Sequence, residues 1–149
     1  MTIYLAYGSN LNKEQMAMRC PDAIPLRVIM LPNYRLVFKG VADIIPAEGW
    51  KVPVAMWRIT DKCEKALDRY EGYPSLYRKE FFENKQTDDL YMAYVMNNHG
   101  LAMPSLHYVK AIAKGYEDFD IDPTFLDAAL AFTEEYDSND GYIPKRWRD

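Results

Sequence analysis

The chain has 149 residues, and its 18 Lys and Arg against 22 Asp and Glu give a formal net charge of −4. This acidic balance disfavours nucleic acid as a partner, because duplex binding depends on many Lys and Arg contacts to phosphates. With 49% hydrophobic residues the chain can bury a core, and no stretch reaches the roughly 18 apolar residues of a membrane span. We therefore expect one globular domain over residues 1–149, with neither a nucleic acid nor a membrane as partner.

The number of tyrosines and the spacing of the cysteines are also informative. The chain has 12 Tyr, and because tyrosine is amphipathic this surplus indicates either a wet core edge or a polar-lined pocket. The two cysteines, Cys20 and Cys63, lack the spacing of a zinc site or of a disulfide framework. We expect both to be small apolar residues, which predicts no metal and a reducing, cytoplasmic location.

The first part of the chain predicts a strand, a tight loop and a helix. Thr2–Tyr7 is a run of β-forming residues that ends at Gly8. Either Asn10 or Asn12 can cap the helix that follows, which continues to about Cys20.

Strands dominate the middle of the chain and are followed by one helix. Apolar and polar residues alternate over residues 24–45, around Pro32-Asn33, which predicts paired strands. Residues 52–59 predict another strand. The helix begins at Thr60-Asp61 and ends at Gly72, a residue that favours the left-handed position after a helix.

Two strands and two helices complete the predicted elements. The strands are Tyr77–Glu83 and Leu90–Asn97, and the helices run from Ser105 to about Tyr116 and from about Pro123 to Tyr136. Because most strands are neighbours in sequence, we predict an α+β fold with a mainly antiparallel sheet.

The loop Tyr7-Gly8-Ser9-Asn10-Leu11 is the first candidate for chemistry. Glycine lets the backbone approach a ligand, and unpaired N–H groups at a helix start favour an anion such as a carboxylate. An ordinary capped turn is the alternative. Ser9 is a weak candidate nucleophile, since the GxSxG elbow is absent and only His99 and His107 are available as bases.

Glu71 is the second candidate. It lies in the last turn of the predicted helix, at the negative end of the helix dipole, about 40° beyond the apolar position of Leu67. Both the dipole and partial burial raise the pKa of a carboxyl group, which suits a proton acceptor near neutral pH. The alternative is a solvated glutamate at a helix end.

The third candidate is the helix start Pro104-Ser105 with Tyr108. Ser105 can cap the helix, and Tyr108 projects about 100° from the apolar stripe, so that its ring packs while its hydroxyl reaches outward.

These motifs, in this order, resemble the γ-glutamylcyclotransferase-like family in its bacterial branch. The match runs from about Ile3 to Tyr116. Its most specific part is the Tyr7 to Leu11 loop, followed by Glu71-Gly72-Tyr73 and then by Pro104-Ser105 with Tyr108. Further matching positions are Arg19-Cys20-Pro21, Tyr34-Arg35-Leu36, Phe38, Gly40, Trp57, Ala66-Leu67-Asp68, Tyr70, Pro74, Tyr77, Ile112 and Gly115-Tyr116.

The resemblance implies a compact, mainly antiparallel β-barrel flanked by helices. It implies that the α-amine of a γ-glutamyl amino acid or amine attacks its own γ-carbonyl and releases 5-oxoproline and a free amine, without metal or cofactor. Glu71 would be the general acid/base, and backbone N–H groups of residues 8–11 would hold the α-carboxylate or polarise the carbonyl. The implied substrate-binding residues are Tyr7, Gly8, Ser9, Asn10, Leu11, Tyr77 and Tyr108.

Several alternatives stay open. A non-catalytic binding module with this fold, or a hydrolase with Ser9 as nucleophile, would use the same loop. The sequence does not define the group attached to the γ-glutamyl moiety or the oligomeric state. Phe125 stands where some family members have a tyrosine. Residues 137–149 match no motif, so they form either a flexible tail or a cover for the pocket mouth.

Overall fold

A five-stranded sheet forms the centre of the computed structural model, which describes residues 1–83 and 86–148. The strand order is β2-β3-β1-β5-β4, and every neighbouring pair is antiparallel except β1 and β5, which are parallel. The strands are β1 (Thr2–Ala6), β2 (Ile24–Phe38), β3 (Ala42–Ile59), β4 (Tyr77–Glu83) and β5 (Leu90–Met96).

The predicted α+β class with a mainly antiparallel sheet is confirmed, but the expected barrel is wrong. In the described ranges, β2 and β4 are edge strands and do not pair with each other, so the sheet stays open. Closure into a barrel would require those two edges to share backbone hydrogen bonds.

The long hairpin of β2 and β3 reverses later than the proline-asparagine dipeptide had indicated. The chain turns at Gly40, which has φ of 86°. At Asn33 the register shifts, and Asn33 takes φ of 63° while its side chain accepts a hydrogen bond from the N–H of Gly49 at 3.1 Å. Because asparagine tolerates the left-handed region, the dipeptide forms a bulge within β2 instead of a turn. The predicted strand over 52–59 is the second half of β3.

Within residues 1–83 and 86–148, the four α-helices have the predicted order, and a side-chain cap explains where three of them begin. Side chains of Asn12, Thr60 and Ser105 each accept a backbone N–H at the start of a helix. The helices are α1 (Lys13–Arg19), α2 (Asp61–Glu71), α3 (Leu106–Asp118) and α4 (Thr124–Glu135). Within the described residues, none of them is long and apolar enough to cross a bilayer.

The cysteines correct a second expectation. Cys20, just after α1, and Cys63, in the first turn of α2, form a disulfide instead of packing as free thiols. They are 43 residues apart in sequence, a separation from which no pairing could be deduced. Cysteine usage therefore no longer supports the expected cytoplasmic location.

The C-terminal segment, residues 137–148, packs against the rest of the chain. Its backbone bonds to Leu101 through Ser138 N at 2.8 Å and to Lys39 through Tyr142 N at 2.9 Å. Trp147 lies in a 3₁₀ turn, Lys145–Trp147, and only 3% of it is exposed.

Gly115 sets the distance between α3 and the loop after β1. A Cβ atom there would lie 2.6 Å from the carbonyl carbon of Leu11 and 2.7 Å from the backbone N of Asn12. The helix can therefore contact the loop backbone directly, which holds residues 8–12 in place.

We expect Gly115→Ala to lower the free energy of unfolding by about 1–3 kcal/mol, because the added methyl overpacks this contact. Ala113→Gly, an exposed change on the same helix, calibrates helix propensity alone and should cost up to about 1 kcal/mol. Urea denaturation measures both. If Gly115→Ala instead raised the free energy of unfolding by as much as Ala113→Gly lowers it, the prediction would be wrong. Helix propensity alone would then explain both changes, with no cost from overpacking.

Candidate active site

A narrow cavity lies where the loop after β1, the end of α2 and the C-terminal segment meet. We call it the Glu71 cavity. It encloses about 30 Å³ of free space. Its lining residues are Tyr4, Tyr7, Gly8, Ser9, Asn10, Val41, Ala42, Tyr70, Glu71, Leu76, Tyr77, Tyr94, Tyr108, Pro144, Arg146 and Trp147.

Most of the residues predicted for the site meet in this cavity. Tyr7, Gly8, Ser9, Asn10, Glu71, Tyr77 and Tyr108 all line it. Leu11 does not, because its side chain is fully buried in the core where the loop meets α3. Phe125 lines a different cleft, so the position that departs from the family pattern takes no part in this cavity.

The Glu71 carboxylate has no hydrogen-bond partner among the described residues. Glu71 is the last residue of α2, and Gly72, at φ of 66°, ends the helix and turns the chain away. The residue is partly buried, and within residues 1–83 and 86–148 no donor forms a hydrogen bond with its carboxylate. Burial raises the pKa of Glu71 to about 7, although the nearby Arg19 and Arg146 act to lower it.

Two guanidinium groups flank the glutamate through its neighbour Tyr70. The Arg19 and Arg146 guanidinium carbons lie 3.5 Å and 4.0 Å from the centroid of the Tyr70 ring. Arg146 also donates to the Tyr70 carbonyl at 2.6 Å. The C-terminal segment thus brings a positive charge to the end of α2.

The Tyr70 hydroxyl connects the loop to the C-terminal segment. It shares a hydrogen bond with Ser9 Oγ at 2.7 Å and accepts one from Trp147 Nε1 at 2.9 Å. The Trp147 carbonyl in turn accepts a hydrogen bond from Ser105 Oγ, and the Trp147 ring meets Tyr108 edge-on. Ser9 is therefore paired with a tyrosine in this structure, and not with an imidazole.

The hydroxyl groups of Tyr7, Tyr77 and Tyr108 differ in whether their protons already have an acceptor. Tyr77 donates to the Ala42 carbonyl at 2.7 Å and Tyr7 to the Tyr94 carbonyl at 2.5 Å, so their protons are used. Tyr108 accepts from the Ala42 N–H at 2.9 Å and has no acceptor for its own proton among the described residues. Burial raises the pKa values of Tyr7, Tyr77 and Tyr108 well above the usual range, so all three are neutral hydroxyls.

The backbone of the loop is partly available to a ligand. Residues Ser9–Leu11 form a 3₁₀ turn in which the Leu11 N–H donates to the Gly8 carbonyl at 3.0 Å. The N–H groups of Ser9 and Asn10 find no acceptor within the described ranges. They are the donors that this turn leaves for an anion or a carbonyl oxygen.

Sequence reasoning missed several residues of this site. Tyr4, Tyr70 and Tyr94 are not among the predicted site residues, yet all three line the cavity. Tyr4 accepts from Asn10 Nδ2 at 3.0 Å, and Tyr94 donates to Asp68 at 2.6 Å. Tyr4 and Tyr94 come together because β1 pairs with β5 in parallel, a neighbour relation that the order of strands in the chain does not reveal.

Metal-binding side chains do not converge here. Among residues 1–83 and 86–148, no group of three or more His, Cys, Asp or Glu is arranged to hold an ion.

The raised pKa of Glu71 predicts a pH-dependent stability effect. With a pKa of about 7 in the fold against an ordinary 4.5, the protonated form is the favoured one. Its stabilising contribution is complete below pH 4.5 and is lost as the pH rises through 7. We expect Glu71→Gln to gain stability over the unchanged protein across this window, by roughly 3 kcal/mol in total. Urea denaturation at both ends of the window measures the gain, and a difference independent of pH would contradict it.

Sequence comparison finds a family and individual relatives that all carry the name gamma-glutamyl cyclotransferase. The family described as "Gamma-glutamyl cyclotransferase, AIG2-like" matches residues 4–117. A "Gamma-glutamylcyclotransferase" of Mus musculus is 28% identical over 132 residues, covering 78% of this chain and 70% of the relative. A protein of the same name from Homo sapiens is 27% identical with the same coverage.

Structural comparison agrees with this grouping at the level of the fold. A solved "Gamma-glutamyl cyclotransferase" superposes with a TM-score of 0.72 at 23% identity, and the match covers 97% of this chain and 94% of that one. The family match extends over most of the chain and includes both the loop after β1 and Glu71. The chain therefore belongs to the gamma-glutamyl cyclotransferase, AIG2-like, family of enzymes.

Proposed function

We propose that the protein converts a γ-glutamyl amino acid or amine to 5-oxoproline and a free amine by intramolecular acyl transfer, with Glu71 as general acid/base. The α-amine nitrogen forms a bond to the γ-carbonyl carbon, and the bond from that carbon to the leaving nitrogen breaks. One proton moves from the attacking amine to the leaving one, so no co-reactant is consumed. The observation that carries the proposal is an unpartnered carboxylate with a pKa of about 7 beside two unpaired backbone N–H groups.

Glu71 suits the proton transfer because its pKa lies near neutral pH. A base with this pKa is largely ionised slightly above pH 7 and, once protonated, is acidic enough to return the proton. Its carboxylate has no hydrogen-bond partner among the described residues, so both oxygens are available to the substrate amine.

The loop and Tyr108 suit the oxygen atoms of the substrate. The N–H groups of Ser9 and Asn10 would hold the glutamyl α-carboxylate or the γ-carbonyl oxygen, and the proton of Tyr108 would be a third donor. Tyr7 and Tyr77 donate to backbone carbonyls, which assigns them to shaping the cavity. Hydrogen bonds to positions where charge develops in the transition state are the usual means of accelerating acyl transfer.

The cavity has to widen when substrate binds. Its free space of about 30 Å³ is roughly a tenth of the volume of a usual small-molecule pocket, which is less than a glutamyl group needs. Pro144, Arg146 and Trp147 form one wall and belong to the C-terminal segment. We therefore place the displaceable wall at residues 144–147, because these residues, unlike 138–142, form no backbone-to-backbone hydrogen bond with the rest of the described chain.

The reaction is tested with a panel of γ-glutamyl amino acids, γ-glutamyl polyamines and γ-glutamyl-ε-lysine peptides, with 5-oxoproline as the measured product. We expect release from at least one class. Glu71→Gln should lower kcat by about 10²- to 10⁴-fold, the usual contribution of a general base. Glu117→Gln, an exposed change on α3, is the matched control and should leave kcat unchanged.

Two results would reject this assignment. Unchanged turnover in Glu71→Gln would remove Glu71 from the chemistry. Stabilisation of the protein by γ-glutamyl compounds with no 5-oxoproline across the panel would favour a non-catalytic binding module instead.

Arg146 provides a test of the environment of Glu71. Because Arg146 lowers the pKa of Glu71, its loss should raise that pKa further. The acidic limb of the kcat/KM profile of Arg146→Gln should therefore move to higher pH. Arg148→Gln removes a charge from the same segment without this interaction, and its profile should not move. An unshifted limb in Arg146→Gln would show that the limb does not report Glu71.

A further inference from the structure

A second cleft lies between α4 and the hairpin of β2 and β3, and it shares no lining residue with the Glu71 cavity. It encloses about 380 Å³, which is within the range of small-molecule binding sites. Its walls are mostly apolar, and they include Leu36, Pro53, Phe125 and Ala128. The indole ring of Trp50 flanks the cleft and is 49% exposed.

Arg35 is the feature that distinguishes this cleft from a simple apolar groove. Its guanidinium carbon lies 3.9 Å from the ring centroid of Trp50 and 3.6 Å from that of Phe132. Contacts with two rings hold the planar group in one orientation. In residues 1–83 and 86–148, no acid pairs with Arg35, no acceptor takes any of its hydrogen bonds, and its buried Nε is without a partner.

An unpaired arginine in this position is energetically unusual. Arginine side chains that are partly buried normally satisfy their fork of donors with a carboxylate or carbonyls. Here burial lowers the pKa of Arg35, and no ion pair compensates for the lost hydration. A bound anion would supply acceptors for the two terminal Nη groups, which unlike Nε are not covered by the protein.

The charge of the cleft favours the same conclusion. Lys51 is the second cation of the lining, and the lining contains neither Asp nor Glu. The chain as a whole has a net charge of −4, whereas the lining of this cleft is positively charged, with two cations and no acid. A guanidinium held by aromatic rings presents its donors in a geometry that matches a carboxylate bidentately.

From these observations we infer that the cleft between α4 and the β2–β3 hairpin is a binding site for a small organic carboxylate with a flat aromatic body. The carboxylate pairs with the Arg35 guanidinium and is attracted by Lys51. The aromatic body lies on the apolar wall formed by Phe125 and Ala128, next to Trp50. Nothing in this inference depends on the proposed chemistry of Glu71.

The test uses 1-naphthaleneacetate as probe and its neutral amide, 1-naphthaleneacetamide, as the matched ligand, with titration calorimetry as the measurement. The unchanged protein should bind the acid saturably at one site, and the amide at least tenfold more weakly. 5-Oxoproline, a carboxylate without an aromatic body, should also bind at least tenfold more weakly, which separates this site from one for the proposed product.

Four variants localise the binding. Arg35→Gln should weaken it at least tenfold, whereas Arg58→Gln, an exposed charge change on β3 outside the cleft, should leave it unchanged. Ala128→Trp adds bulk at an exposed helix position and should block the cleft while Arg35 stays in place. Glu71→Gln should bind as the unchanged protein does, which keeps this result independent of catalysis.

The inference is overturned by any of three results. These are no saturable binding of the acid, equal affinity for acid and amide, or binding by Ala128→Trp that matches the unchanged protein. Ala128→Trp decides the matter if Arg35→Gln fails to fold, as judged by its thermal unfolding.

Discussion

The burial of one carboxylate without a hydrogen-bond partner is the constraint on which the rest of the site depends. Glu71 has a pKa of about 7 because burial removes part of its hydration while no donor among the described residues replaces it. Such a group makes the fold less stable above neutral pH. Under the proposed function, this is also the group that takes up the proton, and a cost in stability at such a position is the usual relation between an active site and stability.

Backbone hydrogen bonds hold two of the tyrosines around Glu71 in place. Backbone atoms of Ala42 bond to both Tyr77 and Tyr108, so the start of β3 fixes two tyrosines at once. Just beyond it, Asp43 is fully buried, pairs with Lys39 at 2.7 Å and accepts the Met96 N–H at 2.9 Å. These contacts tie β3 to β5 beside the cavity. The hydroxyls of Tyr77 and Tyr108 are therefore held in place by the backbone.

Local chemistry accounts for what could be predicted from the sequence. Caps at Thr60 and Ser105 and the left-handed Gly72 follow from rules that act within a few residues, and they position Glu71 and Tyr108. Contacts between residues far apart in the sequence could not be predicted from it. The pairing of β1 with β5 brought Tyr4 and Tyr94 into the site, and the cysteines paired across 43 residues. The C-terminal segment supplied Arg146 and Trp147 from beyond the family match, where no motif directs attention.

The proposed function depends on the partly buried carboxyl group of Glu71 having a pKa suited to base catalysis near neutral pH. A carbon-13 NMR titration of the side-chain carboxyl signals tests it directly, with the Glu71 resonance assigned by its absence from the Glu71→Gln spectrum. The account predicts a titration midpoint of about 7 for this resonance. A midpoint near the ordinary value of 4.5 would contradict it.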